Sequence, residues 1–242
     1  MLILPDVMIL CGGQGTRLRS VVGDRQKCVA EVAGRPFLAH LLAYLERQGF
    51  RRFILCTGFQ AESVLSALQA EAQRLDLVVS PEPCRLGTGG AVRQALPLVR
   101  TDTVLVLNGD SFCPADYPAL VRWHDAHDYP AAMLLNRPQP ERRDCGRVLL
   151  DSDSRVTAFR EKPDGVDGWI NAGAYLFTRA AVGGFPGETP LSLETGVFPQ
   201  LAALGQLGGQ PTTAPLLDIG VPERYRQAAA FVQAFMSGRE AP

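Results

Sequence analysis

Residues 7–18 read Val-Met-Ile-Leu-Cys-Gly-Gly-Gln-Gly-Thr-Arg-Leu. Val7–Leu10 is a short apolar run, the pattern of a strand buried in a sheet. Glycines follow at once at positions 12, 13 and 15. Glycines in that place let backbone N–H groups close around phosphate oxygens. Cys11, Gly12, Gly13, Gln14, Gly15 and Thr16 are therefore candidates for the phosphate-binding loop, and Arg17 adds a forked cation suited to the same anion. Two other glycine patterns are excluded. G-x-x-x-x-G-K-[ST] is absent, and G-x-G-x-x-G starts at Gly13 but meets Leu18 where its third glycine should stand.

Outward from this stretch, apolar runs alternate with helical periodicity. A helix is expected over Pro36–Gln48: Phe37, Leu38, Leu41, Leu42 and Leu45 share one face, Pro36 suits the first turn and Gly49 stops it. Strands are expected at Phe53–Cys56, Leu77–Val79, Thr103–Leu107 and Ala131–Leu135. Helices are expected at Ala61–Arg74, Thr88–Leu96 and near Ala115–Ala126. Such alternation predicts an α/β fold, with a mixed, mostly parallel sheet carrying helices on both faces. Ligands bind such sheets beyond the carboxyl ends of the strands. The loop after Leu10 lies at one such end, and Asn108-Gly109-Asp110 lies at another.

The second half changes character. Gly146–Leu150 and Arg155–Arg160 flank Asp151-Ser152-Asp153 as a hairpin, and Trp169–Thr178 reads as a strand. Gly183–Gly196 is rich in Gly and Pro and reads as a loop or lid. A last strand near Leu216–Ile219 leads to a helix over Pro222–Met236, with Tyr225, Ala228, Ala229, Val232 and Phe235 on its apolar face. There is no repeat and no clear linker, so residues 1–242 are expected to form a single domain.

Bulk properties narrow the partners. With 46% hydrophobic residues and a formal net charge of −1, the chain can bury one sizeable core, and it carries no field that would draw nucleic acid or an anionic membrane. No apolar run approaches the ~20 residues of a membrane span, and the N-terminus lacks the basic start of a signal sequence. The expected location is the cytoplasm. The six cysteines, at 11, 28, 56, 84, 113 and 145, show no metal spacing and read as buried, reduced thiols. His40, His124 and His127 read as core or surface residues rather than ligands.

Lys27 makes the loop specific. Gly12–Leu18, a lysine about ten residues on, and the helix start Gly34-Arg35-Pro36 resemble the sugar-1-phosphate nucleotidyltransferase family. Family members have Pro-Lys-Pro around the lysine, where this chain has Gln26-Lys27-Cys28. The resemblance implies that Lys27 contacts the triphosphate, with Arg17 and Lys27 as catalytic residues. Glu82–Ala91, including Gly87, Thr88 and Gly89, is similar to the family's LGTGGA segment, which lies against the nucleobase. A carboxylate at Glu82 could accept from the adjacent ring N–H and amine of guanine. Asn108-Gly109-Asp110 matches the nucleotide and metal segment, Asp110 being a carboxylate suited to Mg²⁺. Leu217–Tyr225 resembles the family's D-x-G-[TV]-P-E-x-[YL], making Asp218 the second metal ligand.

Glu161-Lys162-Pro163 and Asn171-Ala172-Gly173 resemble the EKP and NAG segments. They imply that Glu161, Lys162, Asn171 and Gly173 hold the sugar phosphate, with Lys162 also catalytic. Residues 1–135 then form mainly the NTP half, and 136–242 mainly the sugar-phosphate half, with a small β-rich lobe. Gly34–Leu38, Leu86–Ala91 and Asp218–Glu223 look like the D-glycero-D-manno-heptose 1-phosphate guanylyltransferase branch. The implied reaction joins a nucleoside monophosphate, from GTP, to a sugar 1-phosphate with Mg²⁺. The partners are small molecules, and a homo-oligomer is allowed. The alternatives are a uridylyl- or thymidylyltransferase for a hexose 1-phosphate, a non-catalytic nucleotide-sugar sensor, and an NAD-dependent oxidoreductase, against which the broken glycine pattern argues.

Overall fold

A computed structural model describes residues 2–13, 18, 23, 26–58, 61–137, 145–161 and 168–236. In chain order the first half holds β1 (Asp6–Leu10), β2 (Glu31–Val32), β3 (Arg35–Pro36), α1 (Phe37–Arg47), β4 (Arg52–Thr57), α2 (Ala61–Ala67), α3 (Gln69–Ala72), β5 (Asp76–Pro81), α4 (Gly87–Ala95), β6 (Thr103–Asn108), β7 (Ser111–Phe112), α5 (Tyr117–Ala126) and β8 (Ala131–Asn136). The second half holds β9 (Arg147–Leu150), β10 (Val156–Arg160), β11 (Trp169–Thr178), α6 (Arg179–Gly183), α7 (Phe198–Ala203), β12 (Leu207–Thr212), β13 (Leu217–Asp218) and α8 (Pro222–Met236).

Among the described residues, nine strands form one mixed sheet in which β6, β1, β4 and β5 lie side by side and parallel, as the sequence predicts. β11 adds antiparallel to β6 and carries β8 and β9 in turn. β1 is central, and its alternation decides the two cores. Val7 and Ile9 face a layer that includes Leu38, Leu42 and Leu45 of α1 and Val232 of α8, while Met8 faces Val92 of α4 and Phe198 of α7. All three β1 side chains are fully buried, and each such burial contributes ~1.5–3 kcal/mol. Asp6, buried at the start of this strand, accepts the Arg100 N–H at 2.7 Å and faces Arg52 Nε at 3.4 Å, which offsets the cost of burying its charge.

The structure corrects several expectations. The helix over Ala61–Arg74 is broken at Leu68, which adopts a non-helical backbone between α2 and α3. The strand near Leu216–Ile219 is only the two-residue β13, paired with β7 away from the main sheet. β12 was not expected, because Leu-Gly-Gly-Gln-Pro-Thr has poor strand propensity. It is tolerated at a sheet edge, where Pro211 needs no ladder N–H. Gly208 is needed there, since a methyl group on it would lie 2.5 Å from Tyr129 Cδ2 and 2.8 Å from Trp123 Cη2.

Of Gly183–Gly196, expected as a loop or lid, residues 184–192 are a loop. Leu191 and Leu193 are at most 1% exposed, and a π-helical turn over Leu193–Val197 runs directly into α7. Of the cysteines, Cys84 is exposed and Cys145 half-buried, against the expectation of six buried thiols; the other four are buried, and none of the six forms a disulfide.

Candidate active site

A cleft of about 670 Å³ opens at the carboxyl ends of β1, β4, β5 and β6. That is within the ~300–1,000 Å³ usual for small-molecule sites. It brings together nine of the residues singled out from sequence: Cys11, Gly12, Gly13, Lys27, Glu82, Gly87, Thr88, Asn108 and Asp110. Gln14, Gly15, Thr16, Arg17 and Lys162 lie outside the described residues.

Close backbone packing builds the cleft floor. Cys11 N–H donates to Cys56 O at 2.8 Å, and Gly109 N–H donates to Leu10 O at 3.0 Å. The Gly109 amide therefore serves the β1–β6 junction and does not point at a ligand. A methyl group on Gly12 would lie 2.6 Å from Glu82 Oε1 and 3.4 Å from the backbone nitrogen of Gly58. Gly58 also lines the cleft and was missed from sequence, although it follows the β4 run directly. Glu82 Oε2 accepts the Leu86 N–H at 3.1 Å. Burial raises the Glu82 carboxyl above its ordinary value, and the Leu86 N–H opposes that rise.

The far wall is held by the segment expected to be a loop or lid. Gly89 and Gly90 N–H both donate to Leu191 O, at 2.9 and 3.2 Å, and Leu191 N–H donates to Leu86 O at 2.8 Å. The first two of these bonds satisfy two of the orphan donors at the N-terminus of α4. Gly89 is thus committed to the wall, and its amide is not aimed at a nucleobase.

Charges converge at the other end. Lys27 stands on a 3₁₀ turn and pairs with Asp110, whose Oδ1 also accepts from Ser111 Oγ at 3.2 Å. Ile219 N–H donates to Asp110 O at 2.9 Å, so the β7–β13 pairing holds Asp110, just before β7, beside Asp218 on β13. Asp218 Oδ1 accepts the Gly220 N–H at 3.1 Å and pairs with Arg224 Nη2 at 2.8 Å. A methyl group on Gly220 would lie 2.9 Å from Asp218 Oδ1 and 3.8 Å from Lys27 Nζ, so the two ion pairs are neighbours. Arg224, at the variable position of its motif, was not singled out from sequence.

Glu161, Asn171 and Gly173 do not line this cleft. Glu161 is exposed just after β10. Asn171 Nδ2 donates to Tyr175 Oη at 2.9 Å, and Asn171 Oδ1 accepts the Gly173 N–H at 2.9 Å. The β8–β11 register shifts between Asn171 and Tyr175. Gly173 has φ +74° there, and a methyl group on it would lie 3.0 Å from Asn108 Nδ2. This bulge sets the NAG segment against the cleft residue Asn108, joining the two stretches of chain.

The thiols are not poised as nucleophiles. Its hydrogen bond with Cys28, together with burial, raises the Cys11 thiol well above its ordinary value. Burial, with the charge of Glu82 adding, pushes Cys56 up to about 12. Both stay protonated near neutral pH. Among the described residues, no group of three or more His, Cys, Asp and Glu side chains could hold a metal ion. Asp110 and Asp218 offer oxygen atoms only, and each pairs with a cation, Lys27 and Arg224 respectively.

Glycines, Lys27 and Asp110 line this cleft at the strand ends, and the Asp218–Arg224 pair lies beside the Lys27–Asp110 pair. The family model for nucleotidyl transferases matches residues 6–234. The chain belongs to that family. Among relatives of this nucleotidyltransferase, the D-glycero-alpha-D-manno-heptose 1-phosphate guanylyltransferase of Aneurinibacillus thermoaerophilus is 31% identical over 96% of the chain and 100% of its own length. The mannose-1-phosphate guanylyltransferase of Mycobacterium tuberculosis is 34% identical over 93% of the chain, which spans only 64% of that longer protein. The crystal structure of HddC from Yersinia pseudotuberculosis superposes with a TM-score of 0.83 at 31% identity, over 94% of this chain and 99% of that one. HddC complexed with GMP-PN gives a TM-score of 0.81. The family resemblance and the fold class read from sequence are both borne out. No described helix is long and apolar enough to cross a membrane.

Proposed function

We propose that this nucleotidyltransferase transfers GMP from GTP to D-glycero-D-manno-heptose 1-phosphate, releasing pyrophosphate in the cytoplasm. The observation that carries the guanine reading is the Glu82 carboxylate, held by the Leu86 N–H at the Gly12–Gly58 junction inside the cleft. The similarity to heptose 1-phosphate guanylyltransferases over nearly the whole chain supports the acceptor.

In this reading an oxygen of the acceptor phosphate attacks the α-phosphorus of GTP. A new P–O bond forms, the bond from the α-phosphorus to its bridging oxygen breaks, and pyrophosphate leaves with that oxygen. The nucleophile is already an anion, so no general base is required. Catalysis is positioning plus charge neutralisation. Residues 1–135 hold mainly GTP and residues 136–242 mainly the sugar phosphate. Lys27 offsets charge on the triphosphate together with Arg17, and Lys162 offsets the acceptor phosphate. Glu161 and Asn171 bond sugar hydroxyls, and Gly173 lets the ring approach the backbone. Asp110 and Asp218 are the residues that would hold Mg²⁺. Their oxygen-only character suits it, because Mg²⁺ is usually held by one or two carboxylates plus substrate phosphates. When bound, Mg²⁺ neutralises phosphate oxygens. Both carboxylates pair with cations here, Lys27 on Asp110 and Arg224 on Asp218.

Glu82→Gln tests the base assignment. An amide cannot accept from two guanine donors at once, so kcat/KM for GTP should fall ~10–100-fold, the size of a bond to a charged group. The preference for GTP over ATP should shrink with it. Acidification should erode the same preference in the wild type. Because burial raises the Glu82 carboxyl, the loss should begin at a higher pH than for a free glutamate. The sign for stability is opposite. A raised carboxyl favours the fold when protonated, and that contribution disappears as pH rises through the folded-state value. A Glu82→Gln enzyme that keeps its full preference for GTP over ATP would remove Glu82 as the base reader.

A further inference from the structure

Among the described residues, three carboxylates line the cleft: Glu82, Asp110 and Glu194. Glu82 belongs to the base end, and Asp110 is paired with Lys27. Glu194 has no part in the reaction described above. It comes from the segment that reads as a loop or lid in sequence, yet its side chain is fixed. Its Oε2 accepts from Thr88 Oγ1 at 2.8 Å and from Ser192 Oγ at 2.9 Å. Thr88 Oγ1 itself accepts the Leu193 N–H at 2.8 Å, which directs the threonine proton onto Glu194. Two hydroxyl donors on one oxygen set the plane of the carboxylate.

This is more than the turn needs for its own stability. Leu191 already holds the wall through three backbone bonds, and Ser192 Oγ already caps the N–H groups of Glu194 and Thr195 at 3.1 Å each. Position adds to the case. Glu194 shares the cleft with Asn108, against which the Gly173 bulge packs, and its charge acts on the Tyr175 hydroxyl that Asn171 binds. It therefore stands on the side where the NAG segment meets the cleft. A carboxylate offers about four acceptor sites and no donor. It repels phosphate and attracts hydroxyl groups, which suits the uncharged end of a sugar phosphate.

We propose that Glu194 is a specificity-determining residue for the acceptor, accepting a hydrogen bond from a ring or side-chain hydroxyl of the sugar 1-phosphate. This rests on the sugar 1-phosphate reading of the site. A sugar lacking that hydroxyl leaves the carboxylate desolvated and unpaired, which is how a polar site rejects a deoxy analogue.

The test is steady-state pyrophosphate release by the wild type, Glu194→Gln and Ser192→Ala, using GTP with heptose 1-phosphate and a set of monodeoxy hexose 1-phosphates. For Glu194→Gln, KM for the sugar phosphate should rise on the order of 10–100-fold, while KM for GTP stays within about twofold. The wild type should reject one deoxy sugar that Glu194→Gln no longer distinguishes from its parent. Ser192→Ala, which removes the caps on Glu194 and Thr195 and one of the two donors to the carboxylate but keeps Thr88 and the carboxylate itself, should lower Tm while retaining that discrimination. Equal rises in both KM values, or a lowered Tm with sugar KM unchanged, would make Glu194 a strut and overturn the proposal while leaving the reaction intact. A wild type that turns over no sugar 1-phosphate would overturn the reaction, and this inference with it.

Discussion

Lys27→Ala should fold normally and lose about 10²–10³-fold in kcat, the ~2.7–4 kcal/mol typical of removing one charge-stabilising donor. The fold should tolerate it because Cys28 and Val29 carry the buried side of the 3₁₀ turn, while the Lys27 side chain reaches into the cleft. The half-saturating concentration of divalent cation should not rise, since Lys27 itself occupies Asp110 in the structure. Single-turnover kinetics with a thermal melt separates the two effects. Near-normal kcat would remove Lys27 from the reaction, and a collapsed melt would show that its pairing with Asp110 is needed for the fold.

Gly87→Ala should be more damaging than its size suggests. Gly87 has φ +76°, a left-handed backbone that costs an L-residue ~1–2 kcal/mol. The added methyl would also lie 2.4 Å from Leu191 O and 2.9 Å from Leu191 C. Those are main-chain atoms, so no rotamer change relieves the clash. The wall must shift, and the bonds from Gly89 and Gly90 to Leu191 O loosen together. A loss of more than ~4 kcal/mol is expected, in the range reserved for strain plus broken buried bonds. Urea unfolding measures it. A loss under about 1 kcal/mol would mean that the wall yields easily, contrary to its bonding.

How legible the molecule was depended on which forces fixed each part. The parallel strands were readable because β1, β4 and β6 are buried runs whose apolar character follows from a covered sheet. α1 and α8 were readable because a single apolar face set their period. β12 was not, since Gly208 is dictated by Trp123 and Tyr129 and Gly209 by Leu135 and Leu150, all distant in sequence. The wall around Leu191 was not, because its order comes from backbone bonds to Gly89 and Gly90, which leave no pattern in Gly183–Gly196.

The same division holds in the cleft. Nine residues singled out by motif line it together: Cys11, Gly12, Gly13, Glu82, Asn108 and Asp110 sit at a strand end or in the turn that follows, while Lys27 stands on the 3₁₀ turn and Gly87 and Thr88 open α4. Gly58, Glu194 and Arg224 were missed. Gly58 offered a weak signal, its place after the β4 run. Glu194 sat in a segment with no helical or strand period, and Arg224 occupies a position the motif leaves open. Asn171 matched its motif, but its amide bonds to Tyr175 and Gly173, an arrangement that appears only when the β11 bulge is folded.

The most direct measurement is pyrophosphate release from GTP, ATP, CTP, UTP and dTTP, each against heptose, mannose, glucose and N-acetylhexosamine 1-phosphates, with and without Mg²⁺. Release that requires GTP, a heptose 1-phosphate and Mg²⁺ together is the expected result. Release with UTP or dTTP and a hexose 1-phosphate, or tight GTP binding with no release from any pair, would contradict it.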